Sequence, residues 1–227
     1  MTQLSFEKEL QQIYEELLKM GGMVEKAISS SIVALKDFNT RLAQEVIQYD
    51  KEIDIQELKI DDLCFTYLAL RQPKATDLRF IISGMKIINE LERMGDYAES
   101  IARQAIFLSS KKRWIRPLVN IPLMAEKTQT MMKDSLKAFL EKNKDLAFEV
   151  IRRDEEVDEL QSTIYKNLLN DMLKDQKNIE SASALLLVSS KLERIADQST
   201  NICEEVIYLV TGVSVRHQEK LKRDSLF

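Results

Sequence analysis

The chain has 227 residues, 44% of them hydrophobic and 31% charged, with only 5 Gly and 3 Pro. That is ample for a core but short of the turn residues that several tightly connected strands need, and the abundant Leu, Glu, Lys, Ala and Ile favour helix throughout. Its 33 basic and 37 acidic residues leave a net charge of -4, which argues against a general nucleic-acid binder.

Helical periodicity begins almost at once. Leu10, Ile13, Leu17, Met20, Val24, Ala27 and Ile28 recur at the three- and four-residue spacing of one helix face. Gly21 and Gly22 interrupt the stripe without shifting its phase, which points to close approach by a neighbouring helix. Asp37-Phe38-Asn39-Thr40 reads as a tight turn with cap-type residues. A second helix runs from about residue 40 to Arg71, and Pro73 stops it, because the residue before proline disfavours helical geometry. A third runs from about Thr76, an N-cap type, with Asp77 in its first turn, to about Ser109.

Trp114 to Pro117 and Pro122 mark the joint between two halves, with Trp114 read as cover for a bundle end. A fourth helix carries Met124, Thr128, Met131, Met132, Leu136 and Phe139, its methionines read as core. A fifth spans about Lys144 to Lys174, and a sixth about Ile179 to Thr211, which Gly212 ends in a left-handed conformation. The expected units are residues 1–112, residues 113–212 and a polar tail over 213–227. Six long helices joined by short turns imply antiparallel neighbours in an all-α fold.

Nowhere does an apolar run approach the roughly 20 residues that span a bilayer. Met1 to Glu9 carries acids where a signal peptide needs basic and then apolar residues. Cys64 and Cys203 sit inside apolar helical stretches and read as buried free thiols, so the expected compartment is the cytoplasm.

An internal repeat dominates the sequence. Ser31-Ile32-Val33-Ala34-Leu35 returns as Ser135-Leu136-Lys137-Ala138-Phe139. Asp50-Lys51-Glu52-Ile53-Asp54 returns as Asp154-Glu155-Glu156-Val157-Asp158, and Leu91-Glu92-Arg93-Met94-Gly95-Asp96 as Leu192-Glu193-Arg194-Ile195-Ala196-Asp197. One three-helix unit is used twice.

Carboxylates recur within that repeat. Residues four apart share a helix face, so Asp50 pairs with Asp54 and Glu92 with Asp96. Glu57, Asp61 and Glu99 extend the two stripes. Antiparallel packing of the second and third helices would bring these edges together beside the core. The second half repeats the set with Asp154, Asp158, Glu193 and Asp197, and Gln161 and Asn201 offer neutral oxygens nearby. Chance alone would give about six four-apart acid pairs in such a chain, so one pair is no evidence and a solvated face is the plain alternative. Two pairs on adjacent helices, both regenerated in a diverged copy, point to a bound cation. Arg93 and Arg194 project to the other side of their helices.

All-oxygen ligands suit magnesium, calcium, manganese or iron. The lone histidine, His217, lies in the tail, which leaves zinc only a carboxylate-held place. A ferritin-like di-iron enzyme needs Glu-x-x-His on its helices, and the sequence has none, nor a Gly-rich phosphate loop or a Ser-His-Asp set. Arg71, Lys74 and Arg79 near the Pro73 turn could meet an anion at a helix N-terminus, although a solvated basic turn is the plainer reading. Three functional classes follow: a metal-bearing regulatory adaptor, a helical interaction module without functional metal, and a carboxylate-bridged metalloenzyme. The first leads, with no catalytic residue.

Leu91-Glu92-Arg93-Met94-Gly95-Asp96-Tyr97-Ala98-Glu99-Ser100-Ile101-Ala102 and its counterpart from Leu192 to Cys203 resemble the paired motifs of the PhoU family of phosphate-signalling proteins. Asp77-Leu78-Arg79 and Val206 to Gly212 match two further family segments, so the resemblance spans about residues 4 to 212. It implies two tandem three-helix bundles related by a pseudo-twofold axis. It also implies multinuclear metal clusters, iron above all, on Asp50, Asp54, Glu92 and Asp96 and on Asp154, Asp158, Glu193 and Asp197. Where members often carry histidine after the last Asp, this chain has Tyr97 and Gln198, and Ser100 replaces a usual Asn. The resemblance further implies a negative regulator of phosphate uptake and phosphate-starvation signalling, often dimeric. Its partners would be the ATPase subunit of a phosphate ABC transporter and a sensor histidine kinase, with the membrane reached only through them.

Overall fold

The structure, a computed structural model, describes residues 3–111 and 120–215, with side chains from Lys8 onward. Six α-helices account for nearly all of it: α1 (Gln3–Asp37), α2 (Thr40–Leu70), α3 (Ala75–Ser109), α4 (Ile121–Glu141), α5 (Lys144–Lys174) and α6 (Ile179–Thr211). A single 3-10 turn, Gln176–Asn178, precedes α6. The expected joint at 112/113, Trp114, Pro117 and the tail from 216, including His217, lie outside the described residues.

Helices α1, α2 and α3 pack into one antiparallel bundle and α4, α5 and α6 into a second, and α3 and α6 pack on each other to join them. The stripe expected on α1 is the core: Ile13, Leu17, Met20, Val24, Ala27 and Ile28 are all buried, and Leu10 packs against them. Met124, Met131 and Met132 are likewise core, as are both cysteines, which are free. No helix among the described residues is long and apolar enough to cross a membrane.

The repeat extends to the turns. Phe38 and Lys142 occupy equivalent positions and both adopt positive φ, 53° and 51°. That conformation is costly for residues other than glycine, and Phe38 offsets the cost by packing against the core. The next residue caps the following helix in each copy. Asn39 Oδ1 accepts from the Leu42 N–H at 3.0 Å, and Asn143 Oδ1 accepts from the N–H groups of Asp145 and Leu146. Gly212 ends α6 at φ 74°, as expected.

Two sequence expectations need correction. Thr76 is not the cap of α3: the helix starts at Ala75 behind Lys74, which makes no side-chain cap bond. Fixed φ at Pro73 restricts the chain here, so a side-chain cap is not required to start the helix. Close approach explains Gly21 but not Gly22. A Cβ on Gly21 would meet Leu136 Cδ1 at 2.6 Å, whereas one on Gly22 would meet nothing within 4 Å.

Candidate metal centre

The side chains of α2 and α3 meet along an acidic edge beside the first bundle's core. Ile53, Ile60 and Cys64 on α2 and Leu91, Met94, Ala98, Ile101 and Ala102 on α3 are buried. Residues one helical step away from them therefore surface where the helices touch. Asp50, Glu57, Glu92 and Glu99 are half-buried there, and Asp54 and Asp96 are exposed.

Each acid feels its neighbours. Asp50 has its carboxyl pushed up to about 7 by burial first, then by Asp54, Asp96, Glu99 and Glu92. Burial and the charges of Asp96, Asp54 and Glu57 raise Glu92, against a small opposing effect of Arg93. Asp96 is raised by burial, Asp54 and Glu99, and Glu57 by burial, Asp61 and Asp54. Desolvation and like charge act in the same direction throughout.

Asp50 is the centre of the group. Its Oδ1 is buried and accepts no hydrogen bond. The space it fills exists because residue 95 is glycine: a Cβ there would lie 3.1 Å from that oxygen. A buried carboxylate oxygen without a donor carries a desolvation cost that a cation would offset. Hard oxygen donors in this number suit such a cation in kind. Among the described residues, however, no three His, Cys, Asp or Glu side chains converge on one point ready to hold an ion. The carboxylates stand apart, as like charges without a cation between them do.

The second bundle repeats the arrangement with less charge. Glu193 is raised by burial, then by Asp197 and Asp158, and Arg194 opposes the shift. Glu193 and Asp154 are half-buried, whereas Asp158 and Asp197 are exposed. Gln161 is half-buried on α5. Asn201, expected to offer a neutral oxygen near these acids, uses its amide nitrogen to donate across the α3–α6 contact to Glu90 Oε2 at 3.3 Å, and within α6 to Gln198 Oε1 at 3.2 Å. As expected, the arginines turn away from the acids next to them: Arg93 stands 3.7 Å from Glu90, and Arg194 bonds to Tyr97.

The α3–α6 contact supplies what the sequence reading missed. Glu90 and Glu205 are almost fully buried there, and Lys86 pairs with Glu205 at 3.2 Å. Lys191 of α6 lies 5.0 Å from the Tyr97 ring centroid and counters the charge of Asp96. Each reads as an ordinary solvated residue in its own helix, and its partner lies in the other half. At the Pro73 turn, Arg71 is committed to Glu9, at 2.8 and 3.1 Å, so a freely solvated basic turn is too simple a description.

Comparison with known proteins agrees with this duplication. The PhoU domain family matches twice, over residues 17–105 and 121–206. A phosphate-specific transport system accessory protein PhoU homolog of Clostridium acetobutylicum is 39% identical over 95% of this chain and 98% of its own. The corresponding homolog of Aquifex aeolicus is 42% identical over 93% and 95%. Among solved structures, PhoU from Pseudomonas aeruginosa superposes with a TM-score of 0.88 at 39% identity, covering 92% of this chain and all of that one. The phosphate transport system regulatory protein PhoU from Streptococcus pneumoniae gives 0.85 at 31% identity, covering 92% and 99%. With the family matched in both halves and the whole architecture shared, this chain belongs to the PhoU family.

Proposed function

We propose that this chain restrains phosphate uptake and phosphate-starvation signalling when phosphate is plentiful, as a metal-binding cytoplasmic adaptor. The carrying observation is the full-length match, in both halves, to accessory proteins of phosphate-specific transport. Its partners in this reading are the ATPase subunit of a phosphate ABC transporter and a sensor histidine kinase, met by the long outer faces of the bundles. The adaptor acts by binding and catalyses no reaction, and it works as a homodimer.

Asp50, Asp54, Glu92 and Asp96 would hold cations in the first half, and Asp154, Asp158, Glu193 and Asp197 in the second. Glu57, Glu99 and Gln161 lie at the margins. Iron is the first candidate, with manganese, magnesium, calcium and zinc as the others. The bound ions would supply positive charge that neutralises these carboxylates and ties α2 to α3 and α5 to α6. The donorless Asp50 oxygen beside Gly95 supports this reading.

A second reading, a helical interaction module without functional metal, draws on the exposure of Asp54, Asp96, Asp158 and Asp197 and on the lack of a converged ligand set among the described residues. One genetic experiment bears on both. A strain deleted for the gene should take up phosphate and express a starvation reporter under ample phosphate, and the wild-type gene should reverse this. Reversal by an Asp50→Asn, Asp154→Asn double variant would favour the metal-free module. Unchanged uptake and reporter in the deletion strain would sink the regulatory role altogether.

A further inference from the structure

We propose that the outer face of α2 is the contact between two copies of this chain, which pair antiparallel and through their first halves alone. The proposal deepens the homodimer reading above by fixing which face meets which.

Val46, Ile53, Ile60 and Cys64 turn one side of α2 into the core. On the opposite side, Lys51, Ile55, Leu58, Asp62, Phe65 and Ala69 follow at alternating intervals of four and three residues, the spacing at which one helix packs along another. All of them are exposed. Ile55, Leu58 and Phe65 are 67%, 63% and 68% exposed, so the bundle's own core makes little use of them. Nor does the fold require apolar residues there. The duplicate helix α5 carries Glu155, Glu159, Ser162 and Lys166 where α2 has Lys51, Ile55, Leu58 and Asp62, and these too are exposed. Leu169 and Leu173, the exposed leucines of α5, lie beyond this stretch toward the helix end. An exposed apolar seam present in one copy and polar in the other marks a contact.

Charge complementarity names the occupant. Among the described residues, neither Lys51 nor Asp62 has an ion-pair partner in its own chain. A second α2 set antiparallel, about a twofold axis between residues 56 and 57, places Ile55 opposite Leu58 of the second copy and Lys51 opposite its Asp62. Each pair occurs twice, because the axis is twofold. Phe65 then lies over Gln48 of the second copy, and Ala69 over Gln44. A parallel pairing would set lysine on lysine and aspartate on aspartate, so the face complements itself in one orientation only. Residues 44 to 69 give the seam a length of roughly 38 Å, and its period sets the two helices at about 20°. Three large apolar side chains from each copy make a small interface, so association is weak and depends on concentration. The closed twofold uses up both faces, assembly stops at two, and the second bundle of each copy stays open.

The test is sedimentation equilibrium of the full-length chain over a wide range of concentrations, with circular dichroism to check folding. Wild type should form a dimer whose population follows concentration. Ile55→Glu with Leu58→Ser, which installs the residues of α5, should raise the dimer Kd roughly 100-fold and leave the helical content unchanged. Lys51→Glu and Asp62→Lys should each weaken self-association about 10-fold, because like charges then face each other. Mixed in equal amounts, these two single variants should pair with one another at close to wild-type strength, since each supplies the charge the other lacks. Native mass spectrometry distinguishes the mixed pair from the like pairs. These surface substitutions carry the test if the Ile55, Leu58 variant does not fold. A dimer that ignores the loss of Ile55 and Leu58, or a mixture that pairs no better than its components, would overturn this face while leaving the homodimer standing. A wild type that is monomeric at every concentration would overturn both and leave the seam to a helix of another protein.

Discussion

A Cβ on Gly95 would stand 3.1 Å from Asp50 Oδ1, an oxygen that is buried and receives no hydrogen bond. The folded chain thus holds this carboxyl at about 7, against an ordinary value of 3.8. Between those two values the folded form keeps a proton that the unfolded chain has released. Stability contributed by the protonated group is present at the acid end of that window and is lost as pH rises through 7. EDTA-treated protein should therefore melt at a higher temperature at pH 5 than at pH 8. Asp50→Asn should flatten that difference. A wild-type melting temperature that rises from pH 5 to pH 8 would contradict the assignment.

Cation binding should remove much of this penalty, because a ligand bound only by the folded form stabilises it by mass action. At a free concentration of 100 times Kd the gain is about 2.7 kcal/mol for one site. Adding Mn2+ to stripped protein at pH 8 should raise the melting temperature by several degrees. The Asp50→Asn, Glu92→Gln double variant should lose most of the gain from the first half and spare that of the second. Calorimetric scans with and without the ion would show it.

The two turns allow a cleaner check of the duplication. Asn39 and Asn143 each cap a helix with the side-chain oxygen after a residue at positive φ. Replacing either with alanine should cost about 1 kcal/mol, and the two losses should add, since the turns belong to different bundles. Urea unfolding of the single and double variants gives the comparison.

What could be read from the sequence was whatever repeats locally. The α1 stripe from Ile13 to Ile28, the stop at Pro73 and the left-handed Gly212 each rest on neighbours within a few positions, and each stands where the pattern put it. The acid pairs were equally legible, because residues four apart must share a face. The α3–α6 contact was not. Glu90, Glu205 and Lys191 follow the same surface-like pattern as dozens of solvated charges, and only the packing of one half on the other gives them partners. Nothing local marks Gly95 within its repeated motif, and its relation to Asp50 depends on the depth at which α2 meets α3.

Adjacent glycines in α1 should behave differently on substitution. A methyl group at residue 22 would meet nothing within 4 Å, so Gly22→Ala should stabilise the protein by roughly 0.5–1 kcal/mol through helix propensity alone. At residue 21 it would meet Leu136 Cδ1 at 2.6 Å. Because that atom is the end of a flexible side chain, it can shift, and Gly21→Ala should fall short of the gain at residue 22. Equal gains at the two positions would mean that α4 does not press on α1 as described.

The charge pair between the halves should matter more than its surface counterparts. Glu205 is 2% exposed and takes both a lysine, Lys86 at 3.2 Å, and the Ser83 hydroxyl at 3.3 Å. Removing the cation leaves a buried carboxylate with less compensation, and losing the partner of a buried charge is strongly destabilising. Lys86 has a side chain 40% exposed, so water moderates the loss, and Lys86→Met should cost about 1–3 kcal/mol. Glu205→Gln keeps the shape and the hydroxyl contact while removing the charge, and in the Lys86→Met background it should restore stability. The double-variant cycle separates the two partners of the ammonium: if Glu205→Gln fails to rescue Lys86→Met, the lysine stabilises the contact through its Nζ over the Tyr208 ring, 5.5 Å from the ring centroid, and not through the ion pair.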